Sequence, residues 1–209
     1  MRRAALAGAL LAAACVVTVS ACKEDTQRSE KREGGRDGAR PKLIYKVAKL
    51  RPVDSRLAVK VGDKAPDFTL PGVDGRPISL KDYVGNRNVV ISFVPAAWTP
   101  VCSGQWPGYN IAREAFEKRD AVLVGITADN VPTLYAWTTD MGTMWFPVLS
   151  DFWPHGEVAK KYGVLRSDGT TERALFVVDK QGVIRYIDVH DINERPPLDE
   201  LLAELDKLR

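Results

Sequence analysis

The chain is short of thiols and imidazoles: its 209 residues include 3 cysteines and 2 histidines. Cys15 and Cys22 lie near the N-terminus, and Cys102 is the only cysteine in the rest of the sequence. So few cysteines exclude a small fold held together by several disulfides. With only His155 and His190 as imidazole ligands, a metal site is also a weak expectation. Cys102 is therefore the main candidate for a reactive side chain in this sequence.

A strong excess of charge of one sign is also missing. The formal net charge is +3 at pH 7, and basic residues are interleaved with acidic ones. Nucleic-acid binding is usually accompanied by clustered basic residues, so we expect no nucleic-acid partner. The apolar content of 45% is sufficient for a packed core.

The sequence has no apolar run long enough to be a typical transmembrane helix. The apolar run at the N-terminus extends only from Ala4 to Val17, whereas a membrane span needs about 20 residues. Two arginines precede this stretch and small residues follow it, which predicts a signal peptide over residues 1–21. Val19 to Cys22 resembles a bacterial lipobox, which implies cleavage before Cys22 and a diacylglycerol on its sulfur. The alternative is an ordinary signal cut near Ala21, which leaves Cys22 as a free thiol.

Residues 22–42 are predicted to be a flexible tether. From Lys23 to Lys42 the sequence is rich in charge and contains no Val, Ile, Leu, Met or aromatic residue. Such a segment cannot bury enough apolar surface to offset its ordering entropy. With a lipid on Cys22, the protein would be exported and held at the bacterial cell envelope, on the periplasmic or outer face of a membrane. Cys102 would then be the only thiol of the mature protein.

Residues 43–209 are predicted to form one domain of mixed α/β structure. Strand-length apolar runs alternate with helical patterns, and nearly continuous apolar runs are typical of strands covered on both faces. The sequence Asp179 to Gly182 predicts a tight turn between two antiparallel strands. Strands are expected at Val89–Val94, Ala121–Thr127, Ala174–Val178 and Val183–Val189, and helices at Tyr109–Arg119, Val131–Met141, Glu157–Tyr162 and over the leucine-rich C-terminus. This pattern predicts a mixed sheet with helices on both faces.

Cys102 lies just beyond the carboxyl end of the first predicted core strand, in or near the first turn of the following helix. Unpaired backbone N–H groups and the helix dipole favour an anion there, so the thiolate form is favoured. Thr99 lies one turn earlier, where its hydroxyl can face the sulfur. Pro95 and Trp98 are expected to supply apolar cover.

The residues Pro95, Thr99 and Cys102 form the pattern P-x-x-x-T-x-x-C, which resembles the signature of the peroxiredoxins, the alkyl hydroperoxide reductase/thiol-specific antioxidant family. The phrase "APDFTL" (residues 65–70) and the segment from Ser167 to Tyr186 resemble further parts of that family, in the right order. The resemblance covers roughly residues 61–209. It implies a thioredoxin-like fold.

The resemblance also implies roles for individual residues. Cys102 matches the peroxidatic cysteine, whose thiolate attacks hydrogen peroxide or an organic hydroperoxide and becomes a sulfenic acid. Arg173 matches an arginine that stabilises the thiolate and holds the peroxide oxygens. Thr99 and the Cys102 N–H would bind the peroxide, and Pro95 would shield the sulfur from water. No cofactor or metal is implied.

The rest of the cycle depends on the missing second thiol. No cysteine follows Cys102, so the protein resembles a one-cysteine peroxiredoxin reduced by an external thiol, either a thioredoxin-like protein or a small thiol. If Cys22 carries no lipid, it could instead resolve the sulfenic acid. The family often has Glu three residues after the cysteine, whereas this chain has Gln105, whose role we leave open.

Other functions were weighed against this one. An exported thiol–disulfide oxidoreductase of thioredoxin type would require Cys-x-x-Cys, which is absent around Cys102. A Cys–His hydrolase or a metal site would need His155 or His190, which are better explained as loop or capping residues. A membrane-tethered binding module without catalysis, a homodimer through Trp98, and an Arg173 that merely pairs with Glu172 or Asp179 also remain open.

Overall fold

The computed structural model describes residues 43–208, so Cys22, the signal peptide and the tether lie outside the described residues. A five-stranded sheet of order β5-β4-β3-β6-β7 forms the centre, beside a separate hairpin of β1 and β2. The strands are β1 Thr69–Pro71, β2 Pro77–Ser79, β3 Asn88–Phe93, β4 Ala121–Thr127, β5 Val148–Ser150, β6 Arg173–Val178 and β7 Ile184–His190.

The sheet is mixed. Strand β3 is parallel to β4, and β4 is parallel to β5. Strand β6 is antiparallel to β3 and to β7, so the turn predicted at Asp179 to Gly182 joins an antiparallel pair as expected. The Gly182 N–H donates to the Asp179 carbonyl at 2.9 Å and closes this turn.

Helices cover both faces of the sheet. They are α1 Cys102–Ile111, α2 Arg113–Glu117, α3 Val131–Met141, α4 Glu157–Tyr162 and α5 Leu198–Asp206. Buried side chains from α1, α2, α3 and α5 share one core cluster, and those from α4 belong to the cluster on the opposite face. Successive strand side chains point to opposite faces, so Val89 and Ile91 join one cluster and Val90 joins the other. The prediction of strands covered on both faces is confirmed.

The predicted bounds of β4, α3 and α4 are confirmed without change, and Gly163 ends α4 in the left-handed conformation. The other predicted strands differ by one residue, β6 at its start and β3 and β7 at both ends. Strands β1, β2 and β5 were not predicted because three residues are too few to show a periodicity. Within residues 43–208, no helix combines the length and apolar content that a membrane crossing requires.

The placement of Cys102 in the first turn of a helix is confirmed, but the predicted bounds of that helix are wrong. A single helix was expected at Tyr109–Arg119, but α1 already begins at Cys102, includes Pro107, and is separated from α2 at Ala112. Proline lacks the N–H that would bond the carbonyl four residues earlier. Packing explains why the helix persists there, because Trp106 is completely buried against Trp137, with ring centroids 5.0 Å apart.

Residues 43–59 precede the hairpin and contain no helix or strand. We call this segment the strap. It is joined to the body mainly by hydrogen bonds, including those from the Asp54 and Ser55 N–H groups to the Glu172 carboxylate, at 2.6 and 2.8 Å.

Candidate active site

Cys102 is the first residue of α1, and its side chain has no solvent exposure. The loop that leads to it from β3 is fixed at two points. The Val94 carbonyl accepts a hydrogen bond from the Thr171 hydroxyl at 2.7 Å, and the Ala97 N–H donates to the Asp129 carboxylate at 2.8 Å. Cys102 therefore occupies a defined position at the carboxyl end of β3, where parallel strands present functional groups.

Helix α1 is held against the sheet by close packing. The Trp137 indole N–H donates to the Ser103 hydroxyl at 3.0 Å. A Cβ at Gly125 would lie only 2.7 Å from the Trp106 ring. A glycine at this point of β4 therefore allows the Trp106 ring and α1 to approach the sheet closely.

Arg173 reaches Cys102 from β6. Its side chain is 1% exposed, and its Nη2 lies 3.4 Å from the Cys102 Sγ. The same guanidinium donates from Nη1 to the Gln105 Oε1 at 2.5 Å, and from Nε and Nη2 to the Ile192 carbonyl at 3.2 and 2.9 Å. Together, the hydrogen bonds to Gln105 and Ile192 fix the plane of the guanidinium, so that Nη2 is directed at the sulfur.

The Arg173 charge is not neutralised by a carboxylate. Among residues 43–208, no Asp or Glu oxygen lies within ion-pair distance of Arg173. Glu172 pairs instead with Arg166 at 2.6 Å, and Asp179 pairs with Arg185 at 2.6 Å. The alternative in which Arg173 serves only as a partner of Glu172 or Asp179 is therefore wrong.

Gln105 occupies the centre of this buried network. Its amide oxygen accepts from Arg173, and its amide nitrogen donates to the Tyr109 hydroxyl at 3.3 Å. Burial raises the pKa of Tyr109, although the Gln105 hydrogen bond and the Arg173 charge oppose this rise. Tyr109 is thus a neutral phenol at physiological pH and adds no charge beside Arg173.

Thr99 and Pro95 lie on the loop that precedes α1. The Thr99 hydroxyl donates to the Ala96 carbonyl at 2.9 Å, which leaves its oxygen lone pairs free to accept a hydrogen bond. Pro95 is buried.

Trp98 has a φ of 62°, and its carbonyl accepts from the Tyr45 N–H of the strap at 2.7 Å. No backbone carbonyl of residues 43–208 accepts the Cys102 N–H, so that donor remains available.

The two histidines contact neither Cys102 nor each other. His155 lies in a loop, where its Nε2 is 2.9 Å from the Gly169 carbonyl. His190 was expected in a loop or cap, but it is the last residue of β7 and its Nδ1 is 3.3 Å from Asp188. In the part of the chain that the structure describes, no group of three or more His, Cys, Asp or Glu side chains is arranged to hold a metal ion.

The AhpC/TSA family profile matches residues 61–187 of the sequence. The chain belongs to this family, the peroxiredoxins. It is 38% identical over 137 residues to alkyl hydroperoxide reductase E of Mycobacterium tuberculosis, which covers 65% of this chain and 89% of that protein. It is 35% identical over 153 residues to peroxiredoxin-1 of Gallus gallus, covering 68% of this chain and 75% of that protein.

Solved peroxiredoxin structures share the fold. The reduced 2-Cys peroxiredoxin of Plasmodium vivax superposes with a TM-score of 0.66 at 28% identity, covering 70% of this chain and 80% of that chain. AhpC of Mycobacterium tuberculosis gives a TM-score of 0.65 at 27% identity, covering 72% and 98%. The predicted thioredoxin-like fold is confirmed. This peroxiredoxin is a thiol-dependent peroxidase, and the oxidoreductase and binding-module alternatives are not favoured.

Two contributors to the site were not identified from the sequence. The role of Gln105 was left open, although its position one turn after Cys102 on the same helix face was a usable signal. The Ile192 carbonyl is a backbone group and carries no residue-type signal.

Proposed function

We propose that this peroxiredoxin reduces hydrogen peroxide, organic hydroperoxides or both through a sulfenic acid on Cys102, with an external thiol as reductant. The observation that carries this proposal is the contact of 3.4 Å between Cys102 Sγ and a buried guanidinium that has no carboxylate partner among residues 43–208. A fixed positive charge at this distance attracts the negative charge of a thiolate, which is the reactive form of cysteine, and orients it for attack.

The oxidation step is a nucleophilic substitution at oxygen. The Cys102 thiolate attacks one peroxide oxygen, an S–O bond forms, and the O–O bond breaks. The departing hydroxide or alkoxide takes up a proton and leaves as water or alcohol. Cysteine is oxidised to the sulfenic acid, and the peroxide is reduced by the same two electrons.

Four groups would assist this step. Arg173 holds the thiolate and the oxygen being attacked, and the free Cys102 N–H donates to the peroxide. Because the Thr99 hydroxyl already donates to Ala96, its oxygen can accept a hydrogen bond from the O–H of the incoming peroxide. Pro95, buried in the loop before α1, limits the access of water to the sulfur.

Reduction of the sulfenic acid requires a thiol from outside the chain. A first reductant thiol displaces water and forms a mixed disulfide with Cys102. A second thiol then releases the Cys102 thiol and a disulfide of the reductant. The support for this one-cysteine cycle is the sequence itself, in which no cysteine follows Cys102 and Cys22 lies within a lipobox-like segment.

We also propose that the protein is exported and anchored through a lipid on Cys22. Residues 1–21 begin with two arginines, which are followed by an uncharged apolar run. This pattern and the polar tether that follows it support this location. One lipidated cysteine with several acyl chains is sufficient for stable attachment to a membrane surface. Peroxide and thiol reductant would then meet the enzyme at the cell envelope.

A homodimer is a further part of the proposal. Phe152 and Trp153 are adjacent and exposed, with Trp153 at 80%, and large apolar side chains at the surface are typical of contacts between proteins. Trp98, on the loop before α1, is half-buried and remains a second candidate contact. Analytical ultracentrifugation of wild type and Trp153→Ser tests this expectation, which predicts a smaller sedimentation coefficient for the variant.

Peroxide consumption with excess dithiothreitol tests the enzyme proposal. Cys102→Ser is expected to abolish turnover while the thermal unfolding curve is retained. The matched control, Cys22→Ser, removes the other candidate thiol and is expected to keep full turnover. Turnover in Cys102→Ser would refute the assignment of the reactive thiol, and loss of turnover in Cys22→Ser would refute the one-cysteine cycle.

A further inference from the structure

The segment that follows β7 connects Arg173 to the strap. The Ile192 carbonyl accepts two hydrogen bonds from the Arg173 guanidinium, from Nε and Nη2. On its other side, the Ile192 N–H donates to the Pro52 carbonyl of the strap at 3.2 Å. Ile192 is therefore bonded both to the arginine at the reactive sulfur and to a segment with no regular secondary structure.

Asn193 fixes this connection. Its side-chain Oδ1 accepts from the Leu50 N–H at 3.0 Å, and its Nδ2 donates to the Leu50 carbonyl at 2.9 Å. This reciprocal pair imitates one rung of a β-ladder between a side chain and the strap. A second contact, from the Asn193 N–H to the Asp191 carboxylate at 2.9 Å, shapes the turn itself.

The strap is anchored independently on both sides of Pro52. The Glu172 carboxylate accepts from the Asp54 and Ser55 N–H groups, and the Arg166 Nη2 donates to the Arg51 carbonyl at 3.1 Å. Because Glu172 is completely buried and paired with Arg166, this end of the strap is a firm support. The strap can therefore hold Asn193 and Ile192 in place.

We propose that Asn193 is a positioning residue for Arg173, acting through the Ile192 carbonyl and the strap. The Ile192 oxygen accepts two guanidinium N–H groups, so its position sets the tilt of the guanidinium plane and the direction of Nη2 toward Cys102 Sγ. Hydrogen bonds linked in series orient and strengthen one another in a buried environment. Both the strap and Asn193 lie outside residues 61–187, the part of the sequence that matches the family profile.

The inference rests on the proposed oxidation of Cys102, and its test separates the two. Asn193→Ala is compared with its parent in a Cys22→Ser background and again in a Cys22→Ser/Arg173→Met background. Cys102 oxidation by hydrogen peroxide is followed by denaturing quench, alkylation of the remaining thiol and mass spectrometry. Glu194→Ala, an exposed side chain in the same turn, is the matched control.

With Arg173 present, Asn193→Ala is expected to slow Cys102 oxidation about fivefold to tenfold, since small misplacements of a catalytic group have effects of this order or larger. With Met at position 173 the same substitution is expected to have no effect, because its target is gone. Glu194→Ala should match the parent in both backgrounds. Leu50→Pro removes the N–H of the partner residue, so it should also slow oxidation and add little to Asn193→Ala.

An equal fall in both backgrounds would show a general structural role and overturn the inference, as would an unchanged rate in Asn193→Ala. If the parent itself fails to form the Cys102 sulfenic acid, the proposed function is wrong and the inference falls with it. Thermal unfolding of each variant confirms that rates are compared between folded proteins.

Discussion

Arg166 and Arg173 are two buried arginines with opposite environments. Arg166 is 5% exposed and forms an ion pair of 2.6 Å with the completely buried Glu172. Arg173 is 1% exposed and is held by the Gln105 amide oxygen and the Ile192 carbonyl, both of which are neutral. Glu172 and Arg173 are adjacent in sequence, yet Glu172 pairs with Arg166 while Arg173 contacts Cys102.

The difference indicates which arginine is structural and which is available for chemistry. The charge of Arg166 is compensated, and its partner in turn holds the strap. The charge of Arg173 is oriented by neutral acceptors and remains uncompensated until the thiolate or a peroxide oxygen supplies the negative charge. The alternation of side chains along an extended segment directs Glu172 and Arg173 to opposite sides of the sheet.

Removal of Arg166 is expected to have the largest effect, and this effect is on stability. Arg166→Met leaves the Glu172 carboxylate buried without its cation, which costs about 3–5 kcal/mol of unfolding free energy. The oxidation rate of Cys102 in the folded Arg166→Met protein should change much less than it does in Arg173→Met. Urea unfolding followed by tryptophan fluorescence provides the measurement.

Arg166→Met/Glu172→Leu is the control for this prediction, because it removes both charges together. It should recover a large part of the lost stability, although the Asp54 and Ser55 N–H groups lose their acceptor. If the double variant is no more stable than Arg166→Met, the buried charge is not the cause of the loss.

Removal of Arg173 should instead affect the reaction. Arg173→Met takes away the cation and the donor nearest the sulfur, and loss of a donor of this kind slows a reaction by about a hundredfold to a thousandfold. Rapid-quench oxidation of Cys102 by hydrogen peroxide measures this effect. A rate within twofold of wild type, a margin of about 0.4 kcal/mol by the usual conversion, would remove the distinction between the two arginines.

Gln105→Glu would make the surroundings of Arg173 resemble those of Arg166. A carboxylate at position 105 would neutralise part of the charge of the Arg173 guanidinium. It would also place a second negative charge near the Cys102 thiolate and repel it. We expect peroxide oxidation to slow by about threefold to tenfold at pH 7, a rise of about 0.7–1.4 kcal/mol in activation free energy. An equal or faster rate in Gln105→Glu would show that the neutral acceptor has no advantage at this site.

The smallest expected effect concerns pH and the strap. Hydrogen bonds from the Ser167 hydroxyl and N–H lower the pKa of Asp54 below its ordinary value of 3.8. The stabilisation by this carboxylate is therefore complete above the ordinary value and is lost as the pH falls through the lowered one. Asp54→Asn should reduce the loss of stability at acid pH, measured as the free energy of unfolding in urea between about pH 2 and pH 5. If the unfolding free energy of Asp54→Asn falls with acid as steeply as that of wild type, the Asp54 carboxylate does not contribute to the acid sensitivity.

The sequence predicted the site through residue types and the structure supplied its geometry. Continuous apolar runs located β3, β4 and β6, and the family pattern brought Arg173 to Cys102 although 71 positions separate them. The residues between Cys102 and Tyr109 were left out of the predicted helical range because proline weakens a helical pattern, while the contacts of Trp106 that sustain this helix are tertiary. The strap and the Ile192 carbonyl were also missed, since polar contacts to backbone groups leave no periodicity in a sequence.

The most direct test of the account is the intact mass of the mature protein before and after one equivalent of hydrogen peroxide. We expect a diacylglycerol-bearing Cys22 before treatment and the gain of one oxygen atom on Cys102 after it, reversed by an added thiol. A Cys22–Cys102 disulfide would contradict the one-cysteine cycle, and an unmodified Cys102 would contradict the peroxidase site itself.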